Sequence, residues 1–573
     1  MRGDRVLASL ALVVGLAGAA ARSWYFALRR PLWLDECMLA LNIASRSALD
    51  LLRPLDYNQA APPLFLWIER AAVRLGGVRE PALRAWPLAA GVLLIALVWP
   101  IARRLAGTPA ALAAVALAAF SPTLVRYTDE AKPYGTDALL TGAVVLAVLF
   151  VAEAPSRRRW LALAAMGLVA VLASIPATFA LAGAVAALAL HPAVRRDRFR
   201  ALAACALVWA LAVALLYLSF YRPEARNPHH QEGYGFAFLT PGPGFADRAG
   251  LAWRGTILPT FAGNGSVIPD ASRTVLTMLT VALAAGAVVV ARQHGAWAAV
   301  LLVAPLLAAV AASALRRYPL GVPRLMMFAS PLLVLMAAAS IGWLAGLVRD
   351  RWRTVVAIAA TAVVAVPMAT GTWRALRAPW RGEDAPALLK AFDDRPRTSE
   401  PVYIGARGIP SWIFYTTNWE KPNRDRLEFY ARAAGNGPSF ENGASRLRFV
   451  YDEGNDLVFR YHDRREILGL FSGRQWRWPT YQGTADPGWA ANEAARIARE
   501  ANPCAWLYFT HTSENTYRPI TWDMRDTHGG RRDVQLVVPG GVLYRYCFPE
   551  GAEPVMGRSR AAPGRSEPAL GPS

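Results

Sequence analysis

The chain has 573 residues, 54% of them hydrophobic, and a net charge of +21 that is almost entirely arginine. Runs of about 20 Ala, Leu and Val residues exclude a soluble globular protein and place it in the polytopic membrane class. A pI of about 10.4 would suit nucleic acid, but the arginines are spread through short loops between apolar runs, so no nucleic-acid partner is expected.

The first apolar run, Val6 to Leu28, is longer than a signal-peptide core and lacks a small-residue cleavage site. It reads as a retained helix. Arg29 and Arg30 end it, and Trp33-Leu34-Asp35-Glu36 follows. If the run spans a bilayer, these adjacent carboxylates stand at the water–lipid boundary, where an acid must be solvated, paired or used. About eleven spans of roughly 17–23 residues follow from hydropathy: 6–27, 83–102, 109–127, 134–152, 159–174, 176–191, 200–219, 272–291, 296–314, 325–346 and 354–373. The 159–191 stretch reads either as two short helices broken at Pro176 or as one kinked element.

Arginine sets the orientation. With Arg2 and Arg5 inside, the alternate loops hold Arg103/Arg104, Arg157–Arg159, Arg195–Arg200, Arg292 and Arg349–Arg353, all on one side. The positive-inside rule makes that side cytoplasmic. The exterior then receives 28–82, 128–133, 220–271, 315–324 and everything after about 374. Arg29/Arg30 and Arg316/Arg317/Arg324 break the rule, and binding an anion would give them a reason to do so.

In the first exterior loop, residues 37–52 and 64–75 carry apolar side chains at three- and four-residue spacing. They read as amphipathic helices lying along the membrane surface, joined through Asn58-Gln59-Ala60-Ala61-Pro62-Pro63. The third span exits into Arg126-Tyr127-Thr128-Asp129-Glu130-Ala131-Lys132-Pro133-Tyr134, where two acids crowd one of only three lysines in the chain. Asp137 falls in the first turn of the next helix, ordinary ground for a capping acid. Loop 220–271, with His229, His230 and Glu232, is long enough to act as a lid. The turn Arg316-Arg317-Tyr318-Pro319-Leu320-Gly321-Val322-Pro323-Arg324 presents three guanidiniums, the side chain best matched to phosphate oxygens.

Beyond about 375 hydropathy collapses and a second domain of 375–550 begins, followed by a tail, 551–573, expected to be disordered. Val402–Gly405, Ala505–Phe509, Val534–Val538 and Leu543–Phe548 read as strands and Trp489–Ala501 as a helix, which makes a small exterior α/β domain. It carries no Gly-rich nucleotide fingerprint, no GxSxG and no zinc spacing. Of the four cysteines, Cys504 and Cys547 fall at strand edges and are the pair a disulfide would join. Most of its tryptophans (Trp412, Trp419, Trp476, Trp478, Trp489, Trp506) are expected in a core rather than against sugar rings.

The segments LDECMLALNI, NQAAPPLFLWIER, YTDEAKPYG and RRYPLGVPRL, in that order over residues 1–375, resemble the bacterial membrane glycosyltransferases related to protein O-mannosyltransferases and lipid A aminoarabinose transferases. These are family 39-like proteins of GT-C fold. Relatives often carry a His before the Pro pair; this chain has Ala61 there, and no role of that His transfers. The resemblance implies a polytopic GT-C-like membrane domain over 1–374 in a bacterial inner membrane. Its activity would be transfer of a sugar from a polyprenyl-phosphate donor to a lipid, glycan or protein acceptor on the exterior face, with inversion. Asp35, with Glu36 beside it, matches the catalytic carboxylate, acting as general base or holding a divalent ion, for which Asp35, Asp129 and Glu130 are the candidates. Lys132, Arg316, Arg317 and Arg324 would meet the donor phosphate, with Asp129, Glu130, Tyr134, Tyr318 and Gln59 in support. A polysaccharide polymerase or ligase would share this donor chemistry. A lipid-linked sugar transporter would instead place ionisable residues at mid-membrane in repeated halves, a pattern this sequence lacks. A non-catalytic envelope scaffold would be indifferent to Asp35→Asn.

Overall fold

The computed structural model describes residues 2–225, 233–263, 272–394, 400–435, 458–461, 464–468, 489–511 and 514–549. The expectations for His229, His230, Glu232, Trp476, Trp478 and the tail 551–573 lie outside the described residues. The chain forms two compact units. The first takes the described residues to Pro386 together with those from Ile409 to Gly435; the second takes Ala387–Gly408 and the described residues from 458 onward.

In the first unit, α1 (Arg2–Ala27) is followed by α2 (Leu34–Ser45) and α3 (Pro63–Gly76), then by α4 (Glu80–Phe120), α5 (Pro122–Tyr127), α6 (Tyr134–Glu153), α7 (Arg157–Ala173) and α8 (Ala177–Leu190). Eight helices among the described residues are long and apolar enough to cross a membrane. The longest, α4, breaks at Ala106 and Gly107, where Gly107 takes φ +80°, so it supplies the two spans expected there. Two shorter helices, α7 and the apolar α8, occupy the ambiguous 159–191 stretch. Ser174 closes α7, and its Oγ accepts the Ala177 N–H at 3.1 Å to open α8, so the two-helix alternative is the one the chain adopts.

Small residues let these helices approach closely, as packing within a bilayer requires. Any side chain at Gly18 of α1 would run into Ala119 of α4. Just above, the buried Arg22 donates to the Ala118 and Ala119 carbonyls at 2.7 and 2.8 Å, and Thr372 donates to the Phe120 carbonyl at 2.8 Å. Those carbonyls end α4 and have no partner inside their own helix, so a guanidinium at the negative end of the helix dipole both satisfies and stabilises them.

Two expectations for the exterior segments change. The first surface helix is Leu34–Ser45 rather than 37–52, because the Glu36 carboxylate reaches back to the Trp33 N–H at 3.3 Å and starts the helix early; most of its residues are buried. Loop 220–271 contains the helix Phe245–Ala262. Its charges and its Gly250, Gly255 and Pro259 hide it from hydropathy, and tertiary packing accounts for it. Gly321, at φ +76°, lies so close to this helix that a Cβ there would come within 2.7 Å of the Ala252 backbone. Ser121 adds a hydrogen bond to the Thr260 carbonyl at 2.7 Å.

The second unit is built on a six-stranded mixed sheet in the order β2-β3-β1-β4-β6-β5, with β1 Val402–Ile404, β2 Val458–Tyr461, β3 Arg464–Leu468, β4 Cys504–Thr510, β5 Arg531–Val538 and β6 Gly541–Cys547. Strand β4 is buried at every position, which is why it reads as a continuous apolar run. Helices Trp489–Glu500 and Glu514–Asp526 supply apolar residues to its core. Cys504 and Cys547, directly opposite in register, form a disulfide. Trp412 and Trp506 are buried.

Candidate active site

The start of α2, the turn between α5 and α6 and the first turn of α4 converge on a buried ionic network. Glu36 is fully buried. It accepts from Arg84 Nε at 2.9 Å and Arg84 Nη2 at 2.6 Å, and from the Ala131 N–H at 2.7 Å. Arg84 also donates to the Arg30 carbonyl at 2.6 Å. Arg30 itself pairs with Asp129 at 2.9 Å and donates to the Trp380 carbonyl at 3.0 Å. The anion that draws Arg30 out of the topology rule is therefore internal. Burial raises the Asp129 carboxyl, and Arg84 and Arg30 work against that rise.

Around this network Leu34 N–H donates to Glu383 Oε1 at 3.1 Å. Tyr415 Oη accepts from Leu32 N–H at 2.7 Å and donates to Glu80 at 2.9 Å. Hydrogen bonds of this kind to charged groups, buried or partly buried, fix the backbone that enters α2.

Asp35 points elsewhere. It pairs with Arg324 at 2.9 Å, and the two side chains keep 25% and 24% of their surface exposed, against 1% and 2% for Glu36 and Arg84. Arg324 also donates to Tyr234 Oη at 3.3 Å and lies over the Trp33 ring at 5.3 Å. Lys132 is buried beside this pair, its ammonium donating to Gln59 Oε1 at 2.6 Å. Burial brings the Lys132 ammonium down to about 8, against the opposing pull of Asp35. Gln59 is delivered by a strained turn in which Tyr57 and Asn58 take φ +63° and +52°; left-handed non-glycine residues of this kind cluster at functional sites. Glu130 is fully buried with Arg126 Nε 3.5 Å away; burial, with Glu36 adding to it, pushes its carboxyl up to about 7. Tyr134 is buried within the field of Arg324, Asp35 and Glu130.

The structure thus gathers Asp35, Lys132, Arg324, Gln59, Glu130 and Tyr134, with Glu36 and Asp129 locked beneath them. It does not bring in Arg316 and Arg317, which are exposed; Arg316 lies over Phe238 at 5.4 Å. Tyr318 is buried and donates to the Leu325 carbonyl at 2.6 Å, bracing the turn. No group of three or more His, Cys, Asp or Glu among the described residues is arranged to hold a metal ion. Asp35 and Asp129 each face a guanidinium at 2.9 Å. Sequence reading missed Arg84, Tyr234, Trp380, Glu383 and Tyr415. Arg84 lies inside what reads as a membrane span, and only its being a charge there could have flagged it.

Residues 60–221, under a third of the chain, match the family of dolichyl-phosphate-mannose-protein mannosyltransferases. No curated protein sequence matches the chain. In three dimensions it is similar to ArnT from Cupriavidus metallidurans bound to undecaprenyl phosphate, with a TM-score of 0.50 at 15% identity, covering 94% of this chain and 97% of that one. It is also similar to the apo oligosaccharyltransferase of Archaeoglobus fulgidus, with a TM-score of 0.50 at 13% identity, covering 96% of this chain and 75% of that one. At such identities the likeness is one of fold. The chain has the GT-C membrane architecture that the four sequence segments imply, with the small C-terminal sheet that the strand pattern beyond 375 implies.

Proposed function

We propose that the chain is a membrane glycosyltransferase that moves a sugar from a polyprenyl-phosphate carrier to an acceptor of the bacterial cell envelope, on the exterior side of the inner membrane. Asp35 is its catalytic carboxylate. The observation that carries this reading is the contrast between two adjacent acids: Glu36 is saturated and buried, while Asp35 stays partly exposed beside Arg324 and Lys132. A partly exposed carboxylate next to two cations suits a reaction in which one group takes a proton while another receives developing negative charge.

In that reaction Asp35 takes the proton of an acceptor hydroxyl, and the hydroxyl oxygen bonds to the anomeric carbon. The bond from that carbon to the phosphate oxygen breaks, and its electron pair leaves on the lipid phosphate. Arg324 and Lys132 receive that charge. One displacement inverts the anomeric centre. Arg324 holds Asp35 at rest; a phosphate drawing on the same guanidinium would loosen that hold and leave the carboxylate more basic as the donor arrives. Glu36 and Arg84 position this machinery, and Arg316 and Arg317 meet the lipid headgroups. The arginine distribution supports an exterior site and a cytoplasmic N-terminus, and the Cys504–Cys547 disulfide supports an oxidising compartment for the sheet.

The test is transfer by the purified protein from a panel of polyprenyl-phosphate sugars, wild type against Asp35→Asn, with both checked by thermal melts in detergent. Turnover by the wild type that disappears in a folded mutant supports the reading. Equal turnover in both removes Asp35 from the chemistry. No turnover with any donor, together with lipid movement in proteoliposomes, replaces the enzyme by a transporter.

A further inference from the structure

Asp137 and Tyr221 are buried polar groups that neither the ionic network nor the proposed reaction uses. Asp137 lies on α6 three residues past Tyr134, so the two share a helix face, and Tyr134 belongs to the Asp35–Arg324 cluster. An acid in a first helical turn ordinarily caps the helix. Here the carboxylate takes the Ser174 hydroxyl as its hydrogen-bond partner. Ser174 Oγ accepts from Ala177 N–H, so its own proton is left for the carboxylate. The other oxygen, Asp137 Oδ1, is buried and has no hydrogen-bond partner among the described residues. No Arg, Lys or His among those residues contributes to the field at Asp137.

Tyr221 supplies the complement. Its hydroxyl is also buried and also lacks a hydrogen-bond partner among the described residues. It lies within electrostatic reach of Asp137 without bonding to it. Its backbone belongs to a π-helical turn, Tyr217–Tyr221, and such turns recur at functional sites. Tyr318 stands within reach of both Asp137 and Tyr234, and Tyr234 is bonded to Arg324. Asp137, and through it Tyr221, thus lies in the electrostatic neighbourhood of Tyr318, which is itself within reach of the Tyr234 bonded to Arg324.

We infer that Asp137 and Tyr221 form a subsite that recognises hydroxyl groups of the donor sugar, a specificity determinant that rests on the transferase reading above. A sugar hydroxyl both donates and accepts, so it can give its proton to Asp137 Oδ1 and accept from Tyr221 Oη. Unpaired buried polar groups are also what let a site reject a ligand lacking the matching hydroxyl.

The test uses the full chain in nanodiscs and compares binding of polyprenyl phosphate with binding of its sugar-bearing forms, for wild type, Asp137→Asn and Tyr221→Phe. Melts check folding, and Tyr221→Phe preserves the ring packing if the charge change proves disruptive. Each variant is expected to bind the sugar-free carrier as wild type does and the sugar-bearing donor roughly tenfold more weakly. Discrimination between sugars differing at one hydroxyl should narrow in parallel. Equal weakening of both lipids, or of neither, overturns the subsite while wild-type turnover leaves the transferase reading standing. Loss confined to amino sugars in Asp137→Asn overturns the hydroxyl assignment in favour of an ammonium ligand. A wild type that binds neither lipid removes the transferase reading and the subsite with it.

Discussion

Glu36 with Arg84 and Asp35 with Arg324 are the same chemical pair, a carboxylate on a guanidinium, and their two acids are neighbours at the start of one helix. The first pair is bidentate and sealed, and it shares its carboxylate with the Ala131 amide, so it ties α2, α4 and the Asp129–Lys132 turn together. The second is joined through Arg324 Nη1 to Asp35 Oδ2 and remains about a quarter exposed. On the function proposed above, solvation and the number of partners divide the two acids between a structural role and a reactive one. A sealed pair is hard to break and slow to change partner, whereas an open one can exchange its carboxylate for an incoming phosphate.

Breaking the sealed pair is expected to have the largest effect. Arg84→Ala leaves Glu36 buried and unpaired, a change that costs about 3–5 kcal/mol for buried ion pairs, read as a lowered melting temperature in detergent. A melt matching wild type would show that water reaches Glu36 and that the pair is not sealed. Asp35→Asn is expected to do the opposite, leaving the melt near wild type while kcat falls by roughly 10²–10⁴. Arg324→Ala should follow with about 10²-fold in kcat. If either variant unfolds instead, the open pair is structural too and the contrast fails.

Much of this was legible in the sequence, and the remainder was hidden for physical reasons. The apolar runs, the acidic pair after the first helix, the Glu-Ala-Lys-Pro-Tyr turn and the strands of the second unit are local patterns. What hydropathy cannot carry is partnership over long separations. Arg84 lies 48 residues from Glu36, and Tyr234 lies 90 from Arg324. The helix Phe245–Ala262 was invisible for a related reason: its stability comes from contact with Gly321 and Ser121 rather than from its own apolarity. Asp137 read as a helix-capping acid until its carboxylate proved to face Ser174.

The open cluster should also be the part that responds to pH. With its ammonium near 8, Lys132 is charged below that value and loses its proton as pH rises through it. A sugar-phosphodiester donor has no proton to exchange in this range, so donor affinity should fall by about tenfold between roughly pH 7 and 9. Glu130, near 7, gains negative charge over the lower part of the same interval and works in the same direction, while Arg324 keeps its charge. Lys132→Arg stays cationic throughout and should flatten most of the fall, leaving the Glu130 share. Binding of polyprenyl phosphate sugars across that pH range, wild type against variant, checks this; parallel curves would place Lys132 away from the phosphate.

The smallest effect sharpens the contrast from its outer edge. Arg316 and Arg317 lie on the same turn as Arg324 and share its chemistry, but they are exposed. A guanidinium in water gives little to a phosphate, because solvent and salt screen it. Arg316→Ala and Arg317→Ala are therefore expected to change kcat by less than about twofold, with any loss appearing in donor KM and shrinking as salt is raised. A loss as large as that of Arg324→Ala, insensitive to salt, would mean that the turn folds over the donor when it binds. The boundary between reactive and peripheral arginines would then be set by the ligand, not by the resting structure.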